Sequence, residues 1–441
     1  MSVLAVIYLL MAELSDLVAA IVLATTEWEG IGALLTSRHL LVFALFAVGF
    51  LRPDLPPMLR WSCGVYLGVI GLYVLASLGG EAGIGLVVRS AAKLALPAVL
   101  VVAGFAALRT ARALRRYMVV LVCFGLASMV FGLWERQHTG FWTDFVEYGE
   151  YLSTTKDVLS GFRPDVFLPF NFYGYDQSEG LGLARRAAGL VASPLAQGTL
   201  LAFCALIGFA GLRTRSPWIG GLVLCLLGYG VYASGTRGAL LMLVIALPLF
   251  IVLTQANLGR LGRDGVLLAL GFAASFQALA AIYGYTVEME DGSTIGHLWA
   301  LQDNFLNAGS VLVIGDGLGA AGTLAASANL EITGGLEGAV FSALYQIGGP
   351  GALAFLWVYG AVIVLLFRRR QPGPPGEVAA AMVAFAVGAS TSLVISDSLM
   401  SLSGMAPFWL AAGGVIASVA EPVRRRPDPV EAQGEVGERV A

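Results

Sequence analysis

The sequence predicts an all-α polytopic membrane protein of about twelve transmembrane helices, each an apolar run of about 20 residues. Three observations carry that prediction. Of 441 residues, 58% are hydrophobic and only 12% are charged, whereas a soluble domain carries roughly 25% charge. The mean hydropathy is +0.81. The arginines collect in every second loop, which is the positive-inside bias of a multi-pass protein.

The apolar runs place spans at 3–24, 33–51, 61–79, 88–108, 117–134, 189–212, 217–233, 239–256, 265–285, 339–367, 377–396 and 404–420. No basic stretch precedes the first run and no small-residue cleavage site follows it. It therefore reads as a span and not as a removed signal. The 56 glycines suit close helix contacts in lipid. Arg52 and Arg60 share one connection, and Arg109, Arg112, Arg115 and Arg116 share the next on that side. Arg213 with Arg215, Arg260 with Arg263, Arg368–Arg370 and Arg424–Arg426 continue the alternation. These loops and both termini are thus expected in the cytoplasm. Residues 1–423 would form the transmembrane domain, and 424–441 a short, polar, disordered tail.

The opposite side carries two long segments, 135–188 and 286–338. The first is rich in aromatics, among them Trp142, Phe145, Tyr148, Tyr151, Phe170, Phe172, Tyr173 and Tyr175. That mixture reads as a folded cap on the membrane and not as a linker. Aromatic faces there can stack on sugar rings, or simply form an interfacial belt. Cys63, Cys123, Cys204 and Cys225 lie inside apolar runs and are expected to pack, with no disulfide framework. His39, His138 and His297 have no metal-ligand spacing. No metal, cofactor or nucleic-acid partner is expected.

The outward side also carries cations that the charge bias does not require. Arg237 sits in Ser234-Gly235-Thr236-Arg237-Gly238, a short break between two apolar runs. Arg185 and Arg186 lie just before Gly189, Pro194 and Gly198, at the start of a span whose outer end Pro194 can kink. Arginine in membrane segments is costly, about 2.5–3.5 kcal/mol at a helix centre, so its placement there is informative. Its guanidinium fork matches phosphate. Arg186 and Arg237 are therefore candidate ligands for a pyrophosphate, with Arg185 as a further member. Arg89 and Lys93 share a helix face; they either join that anion site or pair with Glu13 and Asp16. Gly315-Asp316-Gly317-Leu318-Gly319 lacks the Lys-Ser/Thr of a nucleotide loop and reads as a tight turn. Glu337, directly before a span, is a candidate general base or a carboxylate meeting a helix dipole.

In this order the motifs resemble the O-antigen ligase and O-antigen polymerase superfamily of bacterial membrane glycosyltransferases. The matching pieces are Arg186-x-x-Gly189 with Pro194 and Gly198, Ser234-x-Thr236-Arg237-Gly238, His297-Leu-Trp299, Gly315 to Gly319, and the Gly348-Gly349 helix start. They span roughly residues 117–367. The resemblance implies a GT-C-like bundle in the bacterial inner membrane, with its active site facing the periplasm. It implies an undecaprenyl pyrophosphate-linked oligosaccharide as donor, an acceptor glycan, and transfer without metal or nucleotide sugar. Arg186 and Arg237 would hold the pyrophosphate while a base deprotonates the acceptor hydroxyl. Chain-length regulators and flippases are the protein partners this implies, besides inner-membrane lipids. The ligases have a histidine just before the helix that starts near Ala339. This chain has Glu337 there, and no histidine within reach, which favours a repeat-unit polymerase over a ligase. A lipid-linked glycan transporter is the reading from another class; it predicts cations along a continuous route and not on one face.

Overall fold

The computed structural model describes residues 2–26, 31–78, 83–156, 158, 162–175, 183–254, 292–320, 337–370 and 373–418. These residues are predominantly helical. The long helices are α1 (Ser2–Thr26), α2 (Ile31–Phe50), α3 (Pro57–Ser77), α4 (Ile84–Ala107) and α5 (Ala111–Gln137). A short α6 (Tyr148–Thr155) follows, then α7 (Pro194–Leu212), α8 (Pro217–Ala233), α9 (Arg237–Thr254) and α10 (Gly292–Val311). The series closes with α11 (Ala339–Arg368), α12 (Pro374–Ala389), the single turn α13 (Ser392–Ile395) and α14 (Ala406–Ser418). Among the described residues, seven helices are long and apolar enough to cross a membrane: α1, α3, α4, α5, α7, α9 and α11. Shorter apolar helices cover 38–50, 217–233, 375–389 and 406–418. The chain is an all-α polytopic membrane protein. The expected span 265–285 and the tail 424–441 lie outside the described residues.

α4 is the centre of the bundle, buried almost continuously from Leu94 to Ala107. It packs on α14, α2 and α3. A Cβ added at Gly104 would overlap the Leu410 backbone, and one at Gly413 the Val101 carbonyl. Two helix backbones thus touch, the close approach that small residues permit where lipid supplies no hydrophobic drive between helices.

The sixth expected span starts later than residue 189. Gly189–Val191 form one 3-10 turn, and Ser193 then caps α7 by accepting a hydrogen bond from Ala196 N at 3.5 Å. Pro194 sits in the first turn, where its missing N–H costs nothing. It therefore starts the helix and does not kink it.

The kink is in α11. Ile347 (φ −128°, ψ 18°) and Gly348 (φ 70°, ψ 178°) leave helical geometry. A continuous helix would join Gly349 N to Tyr345 O. Here Gly349 N donates to Leu312 O at 3.0 Å, and Tyr345 O accepts from Asp316 N at 2.7 Å. Residues 312–316 are thus inserted into the helix ladder, one of the recognised causes of a sharp bend. The Gly315–Gly319 stretch is the turn that makes this possible, with Gly317 and Gly319 at φ 102° and 87°. Its N–H groups are spent on protein: Gly315 N on Tyr73 OH, Leu318 N on Ser77 Oγ and Gly319 N on Gln346 Oε1, at 3.2, 3.1 and 3.2 Å.

The described parts of both long inter-span segments adjoin one end of the bundle, called the upper end below. The aromatic segment is folded there. Trp142, Tyr148, Tyr151 and Phe172 are buried against one another and against the upper part of α1. Two small antiparallel pairs complete it, β1 (Phe162–Arg163) with β2 (Leu168–Pro169), and β3 (Tyr173–Tyr175) with β4 (Leu183–Arg185).

Candidate functional site

Arg185 and Arg186 are adjacent in sequence but part company at the end of β4, because successive strand residues face opposite ways. Arg185 turns inward. Its Nη2 lies 2.8 Å from Oε2 of Glu135, a fully buried residue in the last turn of α5. Glu135 Oε2 also accepts from Trp142 Nε1 at 2.5 Å, and Oε1 accepts from Ala188 N at 2.6 Å and Gly189 N at 3.4 Å. The Arg185 guanidinium lies 5.0 Å from the Phe172 ring centre and 5.5 Å from that of Tyr173. Burial pulls its pKa below the ordinary arginine value, opposed by the Glu135 charge. Arg185 is thereby held in the buried cluster that anchors the strand.

Arg186 turns the other way, to the break between α8 and α9. Its Nε donates to Ser234 O at 2.8 Å and its Nη2 to Thr236 Oγ1 at 3.0 Å. Thr236 Oγ1 donates in turn to Pro194 O at 2.8 Å, and Ala187 N to Ala233 O at 3.0 Å. One arginine therefore sews together the upper ends of α7, α8 and α9. Arg237, half-buried, is the first residue of α9. Guanidinium groups and the partial positive charge of a helix N-terminus are the chemistry that an anion favours. Gly198 permits this arrangement: an added Cβ would stand 2.6 Å from Ser234 Oγ and 2.7 Å from Thr236 Cβ. Gly198→Val is expected to cost about 1–3 kcal/mol through overpacking, read as a lowered melting temperature of the purified protein. An unchanged melting temperature would mean that the 234–236 turn moves aside freely.

Arg89 is exposed on α4, its Nε 3.4 Å from Gly85 O. Lys93, one turn further, forms an ion pair with Asp397. The alternative pairing of this face with α1 is not what Lys93 makes. Glu13 instead accepts from Gly404 N at 3.2 and 3.1 Å. Asp16 meets Lys156 at 2.9 Å, Arg38 at 3.8 Å and Tyr151 OH at 3.2 Å.

Glu337 is not alone at the start of α11. His297, on α10, pairs with it through Nδ1 and Oε2. Asn304 Nδ2 donates to the Glu337 carbonyl at 2.8 Å, and Tyr345 OH to the Asn304 carbonyl at 3.0 Å. The expectation of no histidine within reach is thus corrected: the packing of α10 on the start of α11 brings one from 40 residues upstream. Both side chains are partly exposed.

The connection 396–404 links the two groups. Ala339 N donates to Ser396 O at 3.0 Å, Asp397 holds Lys93, and Gly404 binds Glu13. A Cβ at Gly404 would stand 2.7 Å from Ala196 O, in the first turn of α7. Sequence reasoning missed this connection, and Glu135 with it. The first fell between two expected spans, and Glu135 was read as the start of the outer segment 135–188.

No protein-family model matches the sequence, and no curated protein matches it.

Proposed function

We propose that the chain is a bacterial membrane glycosyltransferase, a polysaccharide repeat-unit polymerase acting at the outer face of the cytoplasmic membrane. The donor is a glycan on undecaprenyl pyrophosphate. The observation that carries this reading is the Arg186 clamp on Ser234 and Thr236, next to Arg237 at the head of α9. The two arginines and the helix end suit the pyrophosphate. The Glu337–His297 pair supplies a base that takes the proton of the acceptor hydroxyl. The freed oxygen pair attacks the anomeric carbon, the bond from that carbon to the pyrophosphate oxygen breaks, and undecaprenyl pyrophosphate leaves. Charge grows on the leaving phosphate, so the arginines act most strongly as the bond breaks. The chain's own side chains suffice for these roles, with no metal or cofactor.

Glu337→Gln is expected to lower turnover by about 10²–10⁴-fold while binding of undecaprenyl pyrophosphate to the purified protein stays within twofold. Unchanged turnover would remove Glu337 as base.

A ligase that moves finished glycan to lipid A core or protein is the second reading. The His297 ring at the start of α11 favours it, since the resembling ligases carry a histidine at that point. Deleting the gene separates the two. Loss of a polymerase leaves single repeat units on the acceptor, whereas loss of a ligase leaves long glycans on undecaprenyl pyrophosphate.

A further inference from the structure

The geometry points to a membrane-inserted hairpin, formed by α10 and residues 312–320, whose apolar tip Leu312-Val313-Ile314 lies among the acyl chains of the upper leaflet. The sequence reading treats all of 286–338 as an aqueous loop. Three placements argue otherwise.

The first is depth. α11 has 30 residues, about 45 Å at 1.5 Å per residue, against a hydrocarbon core of about 30 Å. Its first turns therefore project beyond the core. From Gly348 to Arg368 it is as long as α3, which has 21 residues. Leu318 N bonds Ser77, the last residue of α3, while Gly319 N bonds Gln346. Ser77 and Gln346 thus stand at one level, the upper boundary of the core. Gly349, which bonds Leu312, lies just below it.

The second is the path of α10. His297 is tied to Glu337 and Leu312 to Gly349. Those anchor points are about 18 Å apart along α11, too little to cross the core. α10 descends from above the membrane to its boundary, turns at 312–314, and returns through the glycine stretch. Leu312 O and the N–H groups of Gly315, Asp316, Leu318 and Gly319 bond α3 and α11 there, as non-helical backbone near lipid needs partners in protein.

The third is surface. Leu312, Val313 and Ile314 are 59%, 75% and 69% exposed among the described residues, while Val311 beside them is fully buried. Leu72 and Leu75 of α3, and Leu78 just after it, are exposed apolar residues too. Trp299 and Leu306 on α10 are exposed as well, so exposed apolar side chains stand on α3, on the tip and on α10, the kind of surface that acyl chains cover. The helix that carries His297 rides on the bilayer.

The test uses Val313→Cys and, as a second reporter, Ile314→Cys, each in a Cys123→Ala, Cys225→Ala background, since those two native cysteines are exposed. The full-length protein carries a nitroxide label in phosphatidylglycerol/phosphatidylethanolamine vesicles. Collision with oxygen is expected to exceed collision with a water-soluble nickel chelate at least threefold at both positions. A nickel-dominated signal would overturn the proposal by placing the tip in water. Low collision with both probes would also overturn it, by showing that protein covers the tip. Neither outcome depends on glycan transfer, so the donor reading stands or falls separately.

Discussion

Arg237→Ala is expected to cut glycan transfer by about 10²–10³-fold, the usual loss when one preorganised donor to a developing oxyanion is removed. The side chain stands at the first position of α9, half-buried, and its truncation leaves the backbone of the helix start in place. Membrane insertion and the melting temperature are therefore expected to be retained. Arg237→Lys should recover only part of the activity, because an ammonium is a point charge and lacks the planar fork that meets two phosphate oxygens at once. The measurement is chain-length distribution in cells expressing each variant, alongside quantified protein in membranes. A normal distribution for Arg237→Ala would sink the donor-site assignment, whatever the state of the acceptor side.

The second large effect is structural. Glu135→Ala removes the carboxylate that holds Arg185, Trp142, Ala188 and Gly189. Breaking a buried pair by deleting one partner costs about 3–5 kcal/mol, since the remaining charge is left without compensation. The melting temperature in detergent should fall sharply. Activity should fall too, because β4 carries Arg186 one residue beyond Arg185. Glu135→Gln separates charge from shape. It keeps an acceptor for the two N–H groups but not the ion pair, and should fall between wild type and Glu135→Ala in stability. Equal stability of all three proteins would show that Arg185 finds other partners. Double replacement with Arg185→Leu should recover part of the loss, as apolar substitutes for buried ion pairs often do.

Much of the architecture was readable from the sequence because membrane helices announce themselves in composition. Apolar runs gave the helices within a few residues at most ends, and the Gly315–Gly319 stretch was correctly read as a turn. What stayed hidden were contacts between positions far apart in the chain. Nothing local tells that Lys93 meets Asp397, 304 residues away, or that His297 meets Glu337. Arg185 was added to Arg186 as a further phosphate ligand because a basic pair has no visible direction; the end of a short strand turns the two apart. Pro194 was read as a kink because a proline inside an apolar run disrupts a helix, but Ser193 before it was the stronger sign of a helix start. The break in α11 was marked only by Gly348-Gly349-Pro350, and its cause lies outside the helix.

That break has a bearing on how the protein is made. Tyr345 O and Gly349 N would be left open in α11 on its own, and an open backbone group in lipid costs several kcal/mol. Both are closed by residues 312–316, which leave the ribosome first. The companion of the broken turn has thus already been synthesised when α11 enters the membrane. A gene fragment beginning after residue 320 would therefore insert this helix poorly, and supplying α10 with its tip as a separate polypeptide should rescue it.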